Sequence, residues 1–311
     1  MKQPLIQVCP VLPALEKTLQ ETYEIHRLWE MADADAFLQA NSNKFRGLVT
    51  SAKVGVSDDL IGKLPNLKVI SSFGVGYDCI NIPLTKERGI QVGYTPDVLN
   101  DCVADTALGL ILDTARQFPR ADRFVRDGQW LAKNFPLTTK VSGKRLGILG
   151  LGRIGRAIAK RAEGFDMQIA YHNRKPAADS NYQYVDSLIE LARWSDFFVV
   201  ASSGGPENKQ LVSKEIIDAI GPNGFLINIS RGGVIDEDYL VQALKNRSIA
   251  GAGLDVYVNE PNVPTDLLSL DNVVLYPHIA SGTVETRAAM SNLVLENLSS
   301  FFATGQVAVS V

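Results

Sequence analysis

Short apolar runs alternate along the chain with longer segments in which apolar residues recur at helical spacing. This alternation is typical of parallel sheets covered by helices, because a parallel strand is reached through a crossover that is usually a helix. Helices are predicted, for example, at residues 32–40 and 58–63. The strands predicted in the first part of the chain are residues 5–8, 23–28, 47–50, 67–71 and 90–92.

A second and stronger series of strands begins near residue 144. Long helical patterns precede and follow it, at residues 98–116 and 283–302. Six strands with intervening helices make one doubly wound sheet. The six predicted strands are residues 145–149, 167–171, 197–201, 224–229, 251–256 and 273–275.

The two ends of the chain are expected to share one domain. An apolar tail at residues 306–311 is suited to return to the sheet of the first series. The sequence therefore predicts a discontinuous domain, residues 1–97 plus 285–311, with a second domain of residues 98–284 inserted into it. At about 150 residues per domain, a chain of 311 residues also suggests two domains.

Composition excludes several classes of protein. Hydrophobic residues make up 46% of the chain and charged residues 21%, as in globular proteins. A net charge of −3 provides no positive field, so neither nucleic acid nor a membrane is expected as a partner. No apolar run approaches the roughly 18 residues that span a bilayer, and no signal peptide is predicted. Cys9, Cys79 and Cys102 lack the spacing of a disulfide or metal site, which favours a reducing, cytoplasmic compartment and no metal centre.

A glycine-rich segment lies between the predicted strand at residues 145–149 and a predicted helix at residues 156–162. In a dinucleotide loop the first glycine allows the turn, the second lets a pyrophosphate approach, and the third lets the helix pack on the strand. The alternative is an ordinary tight turn, but the flanking strands and helix favour the dinucleotide site. The segment reads Gly150, Leu151, Gly152, Arg153, Ile154 and Gly155.

The end of the next strand bears on which dinucleotide is bound. An acidic residue about 20 positions beyond the loop usually holds the ribose diol of NAD. Here that place is taken by Asn173, which Arg174 and Lys175 follow. A neutral amide beside two cations favours a 2′-phosphate, so we expect NADP(H) to be preferred over NAD(H). A solvated basic turn is the alternative interpretation.

Arg231, Glu260 and His278 each come shortly after one of the last three predicted strands. The carboxyl ends of strands border the ligand crevice of an open α/β sheet, so all three side chains are predicted to face one crevice. Each alone has an ordinary interpretation, as a surface charge, a solvated loop residue or a core histidine. Together, beside a dinucleotide loop, they are better explained as a catalytic set.

The order of these motifs resembles that of the D-2-hydroxyacid dehydrogenases, over essentially the whole chain. The resemblance implies an α/β protein of two doubly wound parallel-sheet domains, a Rossmann nucleotide domain inserted in a flavodoxin-like substrate domain, and a homodimer. Residues 71–78, 95–99 and 281–287 are similar to the NADP-dependent glyoxylate, hydroxypyruvate and hydroxyphenylpyruvate reductases. The family motifs are residues 150–155, Asn-Ile-Ser-Arg-Gly at 228–232, Gly-Leu-Asp-Val-Tyr at 253–257, Glu260-Pro261 and Pro277-His278.

The resemblance also implies roles for individual residues. The substrate would be bound by Arg231, His278, Ser281 and the backbone amides of Val75 and Gly76. Besides the loop and residues 173–175, the cofactor would be lined by Ser203, Ile229 and Asp255.

Two segments depart from the family pattern. Ser203-Gly204-Gly205 replaces a Pro-Leu-Thr-type segment on the cofactor wall, and Ala280 stands where many relatives carry glycine. The added methyl group of Ala280 is expected to lie beside the substrate.

The predicted reaction is the reduction of a 2-keto acid to a D-2-hydroxy acid. His278 would protonate the carbonyl oxygen, Arg231 would bind the carboxylate, and Glu260 would hold the other imidazole nitrogen and favour the cationic form. Hydroxypyruvate and glyoxylate are the expected substrates, whereas phenylpyruvates and 2-ketogluconate, which need a larger pocket, remain alternatives. A non-catalytic dinucleotide sensor, similar to a corepressor branch, is the alternative of another class. Formate-type dehydrogenation is disfavoured by the reductase-like residues 281–283.

Overall fold

The chain folds into two units, each built on a parallel sheet. The structure, a computed structural model, describes residues 2–311. One unit contains the described residues up to Leu99 together with Thr283–Val311, and the other is Asn100–Gly282. Among the described residues, no helix has both the length and the apolar character needed to cross a membrane.

Both units alternate strands with helices. The strands are β1 (Pro4–Gln7), β2 (Glu24–Arg27), β3 (Gly47–Ser51), β4 (Val69–Phe73), β5 (Gln91–Gly93), β6 (Arg145–Leu149), β7 (Gln168–His172), β8 (Gln183–Tyr184), β9 (Phe197–Val200), β10 (Phe225–Asn228), β11 (Gly251–Leu254) and β12 (Val273–Leu275). The helices are α1 (Pro13–Thr22), α2 (Ala34–Asn41), α3 (Asp58–Lys63), α4 (Ile82–Glu87), α5 (Asn100–Arg116), α6 (Phe118–Arg126), α7 (Arg153–Glu163), α8 (Leu188–Trp194), α9 (Lys214–Ile220), α10 (Glu237–Lys245), α11 (Thr265–Leu268) and α12 (Val284–Thr304).

The first unit has a 5-stranded parallel sheet in the order β2-β1-β3-β4-β5, which is the flavodoxin-like doubly wound order. The apolar tail returns to this sheet as its pattern predicts, since Val311 N donates to Val92 O at 3.0 Å. Buried Asn297 of α12 fixes the tail. Its Oδ1 accepts from Val309 N at 2.9 Å, and its Nδ2 donates to Tyr94 O at 3.1 Å.

The second unit has a 7-stranded parallel sheet in the order β12-β11-β10-β9-β6-β7-β8. The order reverses between β6 and β9, and ligands bind beyond the carboxyl ends of strands at such a switch point. The two doubly wound sheets confirm the predicted fold class. The prediction of six strands in the second series is wrong by one, because β8 has two residues and no apolar run.

Helix α5 packs closely on β11 because two positions of that strand carry no side chain. A Cβ on Gly253 would lie 2.9 Å from Thr114 Oγ1 and 3.1 Å from Leu110 Cβ. A Cβ on Gly251 would lie 3.2 Å from Thr114 Cγ2. Leu110 and Thr114 are buried, so α5 is a rigid support for the strands whose ends carry the predicted catalytic residues.

Candidate active site

The three glycines of the loop have three different surroundings. Gly150 has φ +101°, and a Cβ there would lie 2.7 Å from Ser202 N. A Cβ on Gly155, in the first turn of α7, would lie 2.1 Å from Gly150 O. Beside a Cβ on Gly152, apart from its chain neighbours, no heavy atom of the described residues lies within 4 Å. The loop therefore turns tightly, brings helix onto strand, and keeps open the position where a pyrophosphate would approach the backbone.

Helix α7 begins at Arg153, directly after Gly152. The predicted start at residue 156 is wrong, because Gly155 is a poor helix former in isolation and concealed the first turn. The actual start places the positive end of the helix dipole at the loop. A phosphate bound there would also meet the N–H groups of the first turn.

Asn173 supports the loop from the end of β7. Its Oδ1 accepts a hydrogen bond from Leu151 N at 2.7 Å. Arg174 and Lys175 follow it and are exposed. His172, at the end of the strand, has its Nδ1 2.9 Å from Val185 O. The position that would hold a carboxylate in an NAD site thus holds a neutral amide beside two accessible cations.

The end of β9 lies beside the loop. Ala201 N donates to Leu149 O at 2.8 Å, and Ser202 Oγ is buried with no hydrogen-bond partner within residues 2–311. An unpaired buried hydroxyl costs about 1–3 kcal/mol, so Ser202 suits a polar group of a ligand. The predicted Ser203 is exposed, and its O and Oγ accept from Asn208 Nδ2 at 2.9 and 3.2 Å. Ile229, after β10, is buried.

His278 and Glu260 form the hydrogen-bonded pair that the sequence predicts. His278 Nδ1 lies 2.8 Å from Glu260 Oε2, and the other carboxylate oxygen accepts from Tyr257 N at 3.2 Å. Because the carboxylate accepts the Nδ1 proton, Nε2 is the nitrogen that can exchange a proton with a ligand. The imidazole is 38% exposed and the carboxylate 13%, so the proton donor is accessible while its partner is shielded.

The loop that carries Arg231 lies against the loop that carries Glu260. A Cβ on Gly232 would lie 1.9 Å from Tyr257 C and 2.2 Å from Val258 N, so only glycine allows this approach. Arg231 N donates to Ser230 Oγ at 2.6 Å, and its Nη1 donates to Ser230 O at 2.8 Å. The loops after β10 and β11 are thus packed together, with the half-buried guanidinium on one and the carboxylate on the other.

A buried carboxylate fixes the loop of His278. Asp255 Oδ1 accepts from Ile279 N at 2.7 Å, and its Oδ2 accepts from Ala280 N at 2.9 Å. Burial raises the pKa of Asp255; the two amides and His278 oppose this rise without cancelling it, and Glu260 adds to it. The resemblance predicts Asp255 as a cofactor residue, and that stays a prediction, whereas both of its oxygens bind the loop after His278 in the structure.

The amides predicted to hold the substrate carboxylate belong to the first unit. Val75 and Gly76 are half-buried in the turn after β4. The turn begins at Gly74, which has φ +143° and donates from its N to Thr95 Oγ1 at 3.1 Å. Ser281, in the second unit, is half-buried and follows Ala280. Substrate contacts of Val75, Gly76 and Ser281 stay predictions.

Gly232 and Tyr257 lie within the family motifs, but no role was predicted for either of them or for Ser202. The Gly232-Gly233 pair directly after Arg231 was a signal of close backbone approach that could have been used. Tyr257 and Ser202 gave no such signal, because their roles arise from contacts with distant parts of the chain.

A family model described as D-isomer specific 2-hydroxyacid dehydrogenase, NAD binding domain, matches residues 108–280. This range contains the glycine loop and all three predicted catalytic residues. The chain belongs to the D-isomer specific 2-hydroxyacid dehydrogenases.

Individual members of this family are similar to the chain over nearly its whole length. A hydroxyphenylpyruvate reductase of Plectranthus scutellarioides is 46% identical over 298 residues, 96% of this chain and 95% of the relative. A glyoxylate/hydroxypyruvate reductase A of Arabidopsis thaliana is 45% identical over 298 residues, with coverage of 96% and 95%. The solved NADPH-dependent glyoxylate/hydroxypyruvate reductase of Sinorhizobium meliloti, in complex with NADP and malonate, superposes with a TM-score of 0.94 at 42% identity, covering 100% of this chain and 97% of that chain.

In this dehydrogenase the surroundings of the loop glycines predict opposite effects of two similar substitutions. Gly152→Ala should leave the melting temperature of the free protein unchanged or slightly raised, since its Cβ meets no atom and alanine restricts the unfolded chain. It should weaken NADPH binding at least about tenfold, because the Cβ would occupy the space predicted for the pyrophosphate. Gly155→Ala should lower the melting temperature, because its Cβ would collide with Gly150 O.

Thermal melts of the free protein and fluorescence titration with NADPH measure both quantities. Gly62→Ala in α3 is a suitable control, since its Cβ also meets no atom and it lies in the other unit. Wild-type affinity in the Gly152→Ala variant would show that the pyrophosphate does not approach this glycine.

Proposed function

We propose that the chain is an NADPH-dependent reductase of 2-keto acids of the hydroxypyruvate and glyoxylate class, with D-2-hydroxy acids as products. The observation that carries the proposal is the 2.8 Å hydrogen bond from His278 to Glu260, beyond strand ends that also carry a dinucleotide loop. Carbonyl reduction requires a proton donor, and a histidine held through Nδ1 donates through Nε2. The relatives named above support the substrate class.

The residues divide the chemistry among them. When bound, the cofactor supplies the hydride that becomes attached to C2 of the keto acid. His278 gives a proton from Nε2 to the carbonyl oxygen, and Glu260 stabilises the imidazolium before that transfer. Arg231 pairs with the substrate carboxylate and polarises the carbonyl, where negative charge develops in the transition state. In the oxidative direction His278 accepts the proton instead.

Preference for NADPH over NADH rests on the end of β7. Asn173 places no negative charge beside the ribose, and Arg174 and Lys175 are exposed and can bind a 2′-phosphate. The Sinorhizobium meliloti relative, solved with NADP, supports the same preference. The two cations of this short turn are the groups that would distinguish the cofactors.

A larger keto acid is the second candidate substrate. It is favoured by the similarity to a hydroxyphenylpyruvate reductase, and it would require a pocket that accepts an aromatic side chain. A dinucleotide sensor without turnover remains the alternative of another class, and the similarity to the reductases named above disfavours it.

The assembled form that we propose is a homodimer. Five large hydrophobic side chains are exposed on the segment that follows α5, which we call the arm, residues 118–137. They are Phe118, Val125, Trp130, Leu131 and Leu137. A surface of this kind is typical of a protein–protein contact, and a second copy of the chain is the partner that the family resemblance implies. The spacing of Cys9, Cys79 and Cys102, which suits neither a disulfide framework nor a metal site, supports a reducing, cytoplasmic location.

The reductase is tested by the initial rate of NADPH oxidation with hydroxypyruvate and glyoxylate. His278→Ala should lower kcat by roughly 10²–10⁴, the usual contribution of general acid catalysis, with NADPH affinity unchanged. His26→Ala is the matched control, because His26 also pairs with a glutamate, Glu24, at 3.0 Å, but in the other unit. Turnover of phenylpyruvate or 2-ketogluconate, without turnover of hydroxypyruvate or glyoxylate, would replace the proposed substrate class by the larger keto acids. NADPH binding without turnover of any keto acid would favour the dinucleotide sensor.

The Glu260–His278 pair predicts a change in pH dependence. Glu260→Gln keeps a hydrogen-bond acceptor but removes the negative charge that stabilises the imidazolium. As the pH rises, we therefore expect the Glu260→Gln variant to lose reduction activity at a lower pH than the wild type does. A pH profile of kcat/KM measures this, and a profile that does not move would refute the pairing as the source of the proton donor.

The cofactor preference is tested by an isosteric substitution. Asn173→Asp keeps the oxygen that accepts from Leu151 N but adds a charge that repels a 2′-phosphate. We expect kcat/KM for NADPH to fall by about 10–100-fold, as for loss of a charged hydrogen bond, and kcat/KM for NADH to be retained or raised. Asn246→Asp, on the exposed end of α10, adds the same charge elsewhere and should alter neither value. A wild-type preference for NADPH in the Asn173→Asp variant would contradict the assignment.

The homodimer predicts that charge on the arm separates the subunits. Leu131→Glu combined with Leu137→Glu should shift the sedimentation coefficient from the value of a dimer to that of a monomer. Both side chains are almost fully exposed in one chain and would face the partner in the dimer. Leu268→Glu, another exposed leucine outside the arm, should leave the dimer intact. A wild-type monomer at micromolar concentration would exclude this assembly.

A further inference from the structure

His278 has a backbone conformation that is unfavourable in free energy for a residue with a side chain. Its φ is +55°, in the left-handed region, where a side chain other than glycine crowds the backbone. Such a residue persists only when its surroundings fix it. The contacts on both sides of His278 therefore determine where its imidazole points.

The chain after His278 is fixed by Asp255, which binds the amides of Ile279 and Ala280. Ala280 is held on its other side as well, since its carbonyl oxygen accepts from Thr106 Oγ1 of α5 at 3.3 Å. These contacts all lie after His278 in the chain. The residues before His278 need a separate anchor.

That side is anchored through Tyr276, two residues before the histidine. Tyr276 N donates to Leu254 O at 2.8 Å, and its carbonyl oxygen accepts from Tyr257 OH at 2.8 Å. Its own phenol donates to Asp113 Oδ2 at 2.5 Å. Burial and the neighbouring Asp113 raise the pKa of Tyr276 well above its usual value, so the phenol stays protonated and a donor at neutral pH.

Asp113 lies on a part of α5 that is firmly packed. The next residue, Thr114, is buried against the glycine positions of β11, and Leu110, one turn earlier, is fully buried. The carboxylate is thus attached to a rigid helix, and a hydrogen bond to an ionised group is among the stronger ones in proteins. The contact is well suited to restrain the segment that leads into His278.

We propose that Tyr276 and Asp113 are positioning residues of the reaction, whose hydrogen bond restrains the chain before His278 and so directs its imidazole at the substrate. The proposal rests on the proposed function, in which His278 is the proton donor. Neither residue touches the substrate in this scheme. Their effect is exerted through the backbone of residues 276–278.

Substitution of either residue should lower the rate of the chemical step and leave binding intact. We expect Tyr276→Phe and Asp113→Ala each to lower kcat by about 10–100-fold, the usual effect of a small misplacement of a catalytic group, with KM for the keto acid and Kd for NADPH unchanged. Asp113→Asn keeps an acceptor oxygen, so a weaker, uncharged hydrogen bond remains, and kcat should stay within about threefold of the wild type. The double variant Tyr276→Phe/Asp113→Ala should be no slower than either single variant.

The matched control is Tyr239→Phe. Tyr239 also donates its phenol to a carboxylate, Asp218, at 2.6 Å, in the same unit but in an exposed cluster. The Tyr239→Phe substitution should leave kcat unchanged, even if it lowers the melting temperature. A merely stabilising role for Tyr276 would give the same result in the Tyr276→Phe variant, with kcat of the folded enzyme unchanged, and would overturn the proposal.

A second readout does not depend on turnover. The chain has 3 histidines, so the imidazole signal of His278 in a proton–carbon NMR spectrum is identified by its loss in His278→Ala. Tyr276→Phe and Asp113→Ala should shift or broaden that signal, and Tyr239→Phe should not. An unchanged signal in the first two variants overturns the positioning role, whereas a shifted signal in a protein without keto acid reduction would support it and reject the proposed function alone.

Discussion

The strands of the Asn100–Gly282 unit all run parallel, and this one constraint decides where its chemistry can occur. Parallel strands end at the same edge of a sheet, so the loops after β6, β9, β10, β11 and β12 emerge side by side. Loops are mobile unless their backbone groups are bound. Here buried or shielded carboxylates bind them: Asp255 joins the loop after β11 to the loop after β12, and Glu260 binds both Tyr257 N and His278.

Glycine serves two opposed purposes within this unit. At Gly155, Gly232 and Gly253 the missing side chain lets backbone or helix come close, and a Cβ would collide with atoms that cannot move far. At Gly152 the missing side chain leaves space that the free protein does not use. The first kind contributes to stability and the second does not. Open space also surrounds Gly62, so the space at Gly152 indicates a ligand only together with the strand and helix that flank the loop.

Local patterns were sufficient to predict the fold class and the glycine loop, and to place Arg231, Glu260 and His278 after strands β10, β11 and β12, because each depends on residues close together in the sequence. The contacts that hold the site depend on distant residues. Tyr276 and Asp113 are 163 positions apart, and Asn173 reaches Leu151 across 22 positions. No periodicity or spacing predicts which side chains meet across such separations. The two-residue strand β8 was missed for a different reason, since it is defined by its pairing with β7 and by no pattern of its own.

The left-handed backbone of His278 links stability to function in this molecule. A residue in this backbone conformation destabilises the folded protein by roughly 1–3 kcal/mol. It keeps the conformation only while contacts on both sides hold it. One of those supports, Asp113, lies one turn before the end of α5, and the exposed arm follows that end directly. In a dimer formed through the arm, the second subunit would hold α5 at this same end. In that proposed dimer, assembly would restrain His278, the proposed proton donor, through α5.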